Sequence, residues 1–383
     1  MDNVTSGRNN YSSDARNVYA SLECVQSLHS IQSDYSRFKR ENPVKRVFDP
    51  VSERFWTYYE TGVPVYHQHT DDGSRELPTV VLLHGICGTA GCYFYILDRF
   101  KEVGIRCISA QYPEYSSIDE WIAGLLHFFE YLKLSKPVVF GSDLGGYLLQ
   151  LFVEKYPESV CSIVLCNSYR RTDAFSSSPE LRGLYGRLFS VLPHAILRNL
   201  FVDSYICPVS NSHRNKVPVV EQLAREFMSS ELDQLTAGDL GSRISLQLST
   251  DYVDDFGNRH LACDKILIIE TNNNNIPEDL NEDMRVAYSE AKIAHMKGGG
   301  DFPYLTKPEE IFTFLLVHLK NLGVAQVVDN DLVAHDNAIV IRLNHLKSNN
   351  LSRMSSASSH CSIVPGPQPW DYQDASSGTL SDA

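Results

Sequence analysis

Polar and apolar positions divide this chain into regions of different character. Residues 1 to about 32 are polar and rich in Ser and Asn, and read as a loose leader with no apolar face to bury. From Asp34 onward the apolar positions become regular. Arg54 to Tyr59 (RFWTYY) and Val63 to His67 (VPVYH) are expected to be the two strands of a hairpin, with Pro64 confining the second to an edge. Thr79 to Leu83 (TVVLL) is a continuous apolar run of the kind a strand covered on both faces requires. It ends in a glycine-rich turn, His84-Gly85-Ile86-Cys87-Gly88.

The alternation then repeats. Gly104 to Ala110 is expected as a strand, and Ser117-Ile118-Asp119-Glu120 as a capping box. The helix behind that box carries Trp121, Ile122, Leu125, Leu126, Phe129 and Leu132 along one face. Pro137 to Phe140 is the next strand, Leu144 to Tyr156 the next helix, and Ser162 to Leu165 the strand after it. Strand and helix in alternation with short connections predict an α/β fold: a mostly parallel sheet with helices on both faces. Residues from about 168 to 262 interrupt this rhythm for longer than a plain loop does. Apolar positions recur there at helical spacing in Leu181 to Leu200 and Val219 to Phe227, which predicts a helical cap over the carboxyl edge of the sheet. The sheet resumes at Lys265 to Ile269 and near Ile293 to Met296. Thr306-Lys307-Pro308-Glu309 reads as a second capping box, opening a final helix through Leu319 that is apolar on most sides and expected to be buried. After about Leu346 the chain turns to Ser, Asn, Gly and Pro. The expected organisation is a leader (1–32), one α/β domain (33–346) and a disordered Ser-rich tail (347–383).

Composition narrows the function classes. The chain has 383 residues, 43% of them hydrophobic, enough for one large domain and its tails. A net charge of -13 argues against nucleic acid, whose phosphates need a basic face, and against docking on anionic lipid by charge alone. The nine cysteines are odd in number and several sit in apolar runs, such as Cys107, Cys161 and Cys166, which predicts buried free thiols in a reducing, cytoplasmic setting. No Cys/His spacing suggests zinc, and no cofactor is implied. Neither a signal peptide nor a membrane span of about 18 apolar residues is expected from the apolar runs.

The strongest chemical signal is Val138-Val139-Phe140-Gly141-Ser142-Asp143-Leu144-Gly145-Gly146. An apolar strand runs through G-x-D-x-G into a helix, the pattern of the α/β-hydrolase nucleophile elbow, usually G-x-S-x-G. Gly141 and Gly145 fix the frame, so the elbow residue is Asp143; Ser142 is flanked at the same distance by Phe140 and Leu144. An Asp there resembles the nucleophile of haloalkane dehalogenases and epoxide hydrolases. It is also favourable at any helix N-terminus, whose N–H groups stabilise a carboxylate. A working Asp nucleophile needs a His to activate the water that cleaves its ester. The fold carries that His after the last strand, in a run matched here by Gly299-Gly300-Asp301-Phe302-Pro303, where Asp301 holds the His position. The acid that would orient the His aligns with Asn274. All three triad positions (Asp143, Asn274 and Asp301) therefore depart from a hydrolase, and an ordinary Asp of pKa near ~4 is a poor general base. His295 and His84 read as structural histidines, and His194, His213 and His260 are the cap histidines that could supply a base instead. Gly85, Ile86 and Leu144 could still form an oxyanion-hole-like notch of backbone N–H groups, which an Asp143 carboxylate would occupy or deny to other anions.

Four runs (Ala110-Gln111-Tyr112-Pro113, Phe140 to Gly146, Ile163 to Ser168, and Ala294 to Leu305) together resemble the maspardin family, from about Asp34 past Leu322. The resemblance implies an α/β-hydrolase-fold protein that is a non-catalytic adaptor. It further implies a cytosolic protein that associates peripherally with endosomal and trans-Golgi membranes. The partners implied are proteins, among them a receptor cytoplasmic tail and an aldehyde dehydrogenase. This chain departs from that pattern at Asp143, where the family keeps Ser, at Asp301, where it has Asn, and in its leader and tail.

Overall fold

A computed structural model describes residues 31–62, 78–175, 189, 192–208, 217–253 and 261–323. Eight strands form one sheet in the order β1-β2-β4-β3-β5-β6-β7-β8. β1 (Lys45–Asp49), β2 (Arg54–Thr61) and β4 (Cys107–Gln111) pair antiparallel, and every other pairing is parallel. The central strands β3 (Val80–Leu83), β5 (Val138–Ser142), β6 (Ser162–Cys166) and β7 (Ile266–Thr271) are buried at every position, because helices cover both faces. β8 (Lys292–Met296) closes the far edge. The expected α/β-hydrolase architecture is present: a mostly parallel sheet sandwiched between helices.

The hairpin is not the expected one. β2 turns back onto β1, which precedes it, with Phe48 opposite Phe55. β1 is short and exposes three of its five residues, so its apolar signal is weak. Val63 to His67 lies outside the described residues, as do the serine-rich tail and most of the leader. Order begins earlier than Asp34: a helix over 31–41, α1, sets Ile31, Tyr35 and Phe38 into the core.

α2 (Phe94–Glu102), α3 (Ile118–Tyr131) and α4 (Leu144–Lys155) alternate with the strands. Ser117 caps α3 by accepting from Glu120 N–H, but the Glu120 carboxylate reaches Ser116 N–H, so the box is closed one residue early. The second expected box does not form. Thr306 ends a one-turn helix (Pro303–Thr306), and its hydroxyl donates to the carbonyls of Gly299 and Phe302. The last helix (Pro308–Asn321) buries one face through Ile311, Phe312, Leu315 and Leu319 and leaves Val317 exposed, so it is amphipathic and not buried all round.

Between β6 and β7 the described chain contains several helices. α5 (His194–Phe201) continues into one π-helical turn (Val202–Ile206), followed by α6 (Val219–Leu232) and α7 (Ala237–Gln247). A capping box at Thr236 and Asp239 starts α7. A helix that the apolar pattern does not announce, α8 (Glu278–Ala287), joins β7 to β8. Arg170, just past β6, clamps that helix by two hydrogen bonds to Asp283.

Candidate active-site pocket

The pocket follows from how β5 meets α4. Asp143 sits between them at φ 49° and ψ -123°, a strained backbone for a residue with a Cβ. The conformation is held by packing. Gly145 lies so close to β3 that a Cβ there would come within 2.4 Å of the His84 carbonyl oxygen and 2.8 Å of that of Leu83. Gly141 faces the first turn of α4 just as tightly. Ser142, the neighbouring hydroxyl, is buried against Tyr93 at 2.6 Å and is not the elbow residue.

The elbow points the Asp143 side chain back at the turn after β3. Its Oδ2 accepts the Ile86 N–H at 2.8 Å. The Leu144 N–H and the Tyr169 hydroxyl lie near the same carboxyl and favour its charged form. A backbone donor that a hydrolase would aim at an oxyanion is thus spent on the protein's own carboxylate. Burial raises the Asp143 pKa and these polar neighbours oppose it, leaving it at about 6. Gly85 completes the contact: a Cβ there would lie 2.7 Å from the Asp143 carboxyl.

Asp301 stands on the other side of the pocket, after three consecutive glycines of positive φ. Asn275 holds it with two bonds, backbone N–H at 2.7 Å and side-chain amide at 2.6 Å. Burial lifts its pKa to about 7; the Asn275 N–H and the Arg225 charge pull down, while the Asp143 and Glu221 charges push up. Asn274, which the sequence aligns with the missing acid, faces elsewhere: it donates to Thr271 O and Asn167 and accepts from Ile276 N–H. The residue that touches position 301 is its neighbour Asn275.

Asp143 and Asp301 line one cavity of about 150 Å³ with Gly85, Ile86, Tyr205 and Asn275. No imidazole belongs to that lining among the described residues. His84 is fully buried and stacks on Tyr112 at 4.4 Å. Its Nδ1 lies 2.7 Å from Gly85 O, a carbonyl that can only accept, so Nδ1 carries the hydrogen. Burial and the nearby Arg243 keep that ring neutral. His295 is half exposed on β8 and pairs with Glu270 at 3.1 Å. His194 opens α5, and His213 and His260 lie outside the described residues. Among the described residues, the one close serine–imidazole contact, Ser162 Oγ to His318 Nε2 at 2.5 Å, sits at the first residue of β6, the strand end opposite the elbow.

Sequence reasoning missed Arg243. It comes from cap helix α7, is fully buried, and donates to the carbonyls of Ile86 (3.0 Å) and Gly88 (2.8 Å) while its guanidinium lies over Tyr112. It therefore fixes the turn whose Ile86 N–H holds Asp143. A lone Arg in a helix gives no signal of this. Replacing Arg243 by Met strands two buried carbonyls, and the expected loss is about 2–4 kcal/mol in denaturant unfolding, with Lys recovering part of it.

Among the described residues, no group of three or more His, Cys, Asp or Glu is placed to hold a metal ion, and no helix is long and apolar enough to cross a membrane. The described cysteines are free thiols; Cys87, Cys92, Cys107 and Cys166 are buried, whereas Cys161 is only partly so and Cys207 is exposed.

No protein-family model matches the chain. Maspardin of Danio rerio is 27% identical over 328 residues, covering 84% of this chain and 97% of the relative. Maspardin of Homo sapiens is 27% identical over 294 residues, covering 76% and 87%. A carboxylesterase crystal structure from Nitrososphaera gargenis superposes with a TM-score of 0.55 at 15% identity, over 75% of this chain and all of that one, which shows the fold alone. The resemblance read from the motifs is borne out: the chain is an α/β-hydrolase-fold relative of the maspardins, similar to them over three quarters or more of its length.

Proposed function

We propose that this protein is a non-catalytic member of its fold, an adaptor or regulatory protein that works by binding. The observation that carries this reading is the Asp143 carboxylate seated on the Ile86 N–H. Acyl transfer needs that donor free for the oxyanion of its transition state. A carboxylate already there repels a second negative charge and takes up its donor. The base position supports the same reading, because Asp301 is tied at both oxygens to Asn275. Following the maspardin resemblance, the partners are cytosolic proteins, a receptor cytoplasmic tail or an aldehyde dehydrogenase among them. The place of action is the cytosol and the surface of endosomal and trans-Golgi membranes.

The competing reading is an Asp-nucleophile hydrolase of the haloalkane dehalogenase or epoxide hydrolase type. The strained elbow at Asp143 favours it, since that is where such a nucleophile sits. A base would then have to come from the cap. One experiment separates the two. Purified full-length protein is incubated with activated esters, alkyl halides and epoxides while turnover and intact mass are followed. The expected result is turnover at the level of buffer and no added mass. Turnover lost in Asp143→Ala, or an alkyl ester mapped to Asp143, would establish the hydrolase.

A further inference from the structure

The elbow carboxylate leaves a cavity that no longer suits an ester but has features of its own. Its charged lining residues, among those described, are Asp143 and Asp301, with no Lys, Arg or His. Around them stand aromatic side chains: Phe175, Tyr205, Phe302 and Tyr304. The cations nearby lie outside the lining: Arg225 stands with Glu221 on α6, the two acting on Asp301 in opposite directions, and Arg243 is bonded to the Ile86 and Gly88 carbonyls. Hydrogen-bond capacity is left over. An ionised carboxylate accepts at about four positions. Asp143 accepts the Ile86 N–H, and Asp301 accepts two bonds, both from Asn275. Acceptors therefore remain open toward a cavity of about 150 Å³.

From this geometry we infer that the pocket is a binding site for a small organic cation, an ammonium group with a compact apolar body. This rests on the non-catalytic reading above, since a ligand seated against Asp143 must not be consumed by it. Three properties of such a ligand meet three of the cavity. Its N–H groups supply the donors that the two carboxylates lack. Its positive charge lies against aromatic faces, which attract cations through the ring quadrupole. Its size fits, because a cavity of roughly 150 Å³ takes a benzene-sized molecule, whereas drug-sized ligands occupy about 300 Å³ or more. An anion of the same shape meets like charge, and a neutral isostere forgoes both the Coulomb attraction and the cation–π contact.

An isosteric series tests this by calorimetric titration of the full chain at pH 8: tert-butylammonium, tert-butanol and pivalate. The ammonium is expected to bind about tenfold or more tighter than the alcohol, and pivalate not at all. In the Asp143→Asn, Asp301→Asn double variant the ammonium should fall to the level of the alcohol, while the alcohol is unchanged. Equal affinity for ammonium and alcohol, tighter binding of pivalate, absence of saturable ammonium binding at millimolar concentration, or an ammonium preference that survives in the double variant would each overturn the inference. The probes are unreactive, so these outcomes are independent of the turnover experiment. A failed cation site leaves the non-catalytic reading standing, and a positive turnover result is read without reference to it.

Discussion

Asparagine at position 301 should make the protein more stable at neutral pH and make no difference in acid. Asp301 titrates near pH 7 in the folded chain, against 3.8 for a free aspartate. The sign follows from linkage. Below about pH 4 both states hold the proton and the raised pKa costs nothing. Between pH 4 and 7 the unfolded chain releases its proton while the folded chain keeps it, so stability falls as pH rises, and the penalty is complete above pH 7. A shift of this size corresponds to about 4 kcal/mol at full value, reduced because the side chain borders a pocket, so a gain of about 2–4 kcal/mol at pH 8 is expected. Asn275 can rotate its amide to meet the new one. Asp143 behaves in the same direction from a folded pKa of about 6, so the double variant should gain more, though less than the sum because the two charges interact. Denaturant midpoints of wild type and variant should coincide near pH 4 and diverge through pH 7. Midpoints that differ by the same amount at both ends would show that Asp301 is not a buried, proton-holding carboxyl.

Alanine at Gly145 should have the opposite and larger effect. The added methyl would press on two backbone carbonyls of the β3 end, at 2.4 and 2.8 Å, and neither backbone can move without unpairing the central sheet. The expected loss exceeds about 4 kcal/mol, the range reserved for severe core disruption, and the variant should be recovered largely unfolded. Gly104→Ala is the control. Gly104, unlike Gly145, has a positive φ, at 74°, but an added Cβ there meets nothing within 4 Å, so only the backbone strain of about 1–2 kcal/mol should appear. A loss at Gly145 no larger than that at Gly104 would mean that the close approach of α4 to β3 is not what Gly145 serves.

The parts of the fold that were legible in the sequence are those whose burial is one-dimensional. β3, β5, β6 and β7 read as apolar runs because both faces of each are covered. The frame of the elbow depends on glycines at fixed offsets, Gly141 and Gly145, whose steric role is visible in the sequence. What failed depended on where a side chain turns. β1 was hidden because an edge hairpin can leave Phe48 and Phe55 outside, paired with each other at 5.5 Å. Thr306 looked like a cap, but its hydroxyl was claimed by carbonyls that only the folded glycine run brings near. In a run of four asparagines, no local rule says whether residue 274 or 275 faces the pocket; the pairing of β7 with the last loop decides it. Arg243 is the clearest case. Its partners are backbone carbonyls 155 and 157 residues away, and backbone carbonyls leave no mark in a sequence.

In this structure a carboxylate occupies the place of an oxyanion, and the Ile86 amide reports on it directly. Its proton resonance should move with pH through a midpoint near 6, following the Asp143 carboxyl it is bonded to. The same titration should vanish in Asp143→Asn and persist in Asp301→Asn. An Ile86 amide that does not respond to pH across that midpoint in the wild-type chain would mean that the notch is open and the elbow free to act.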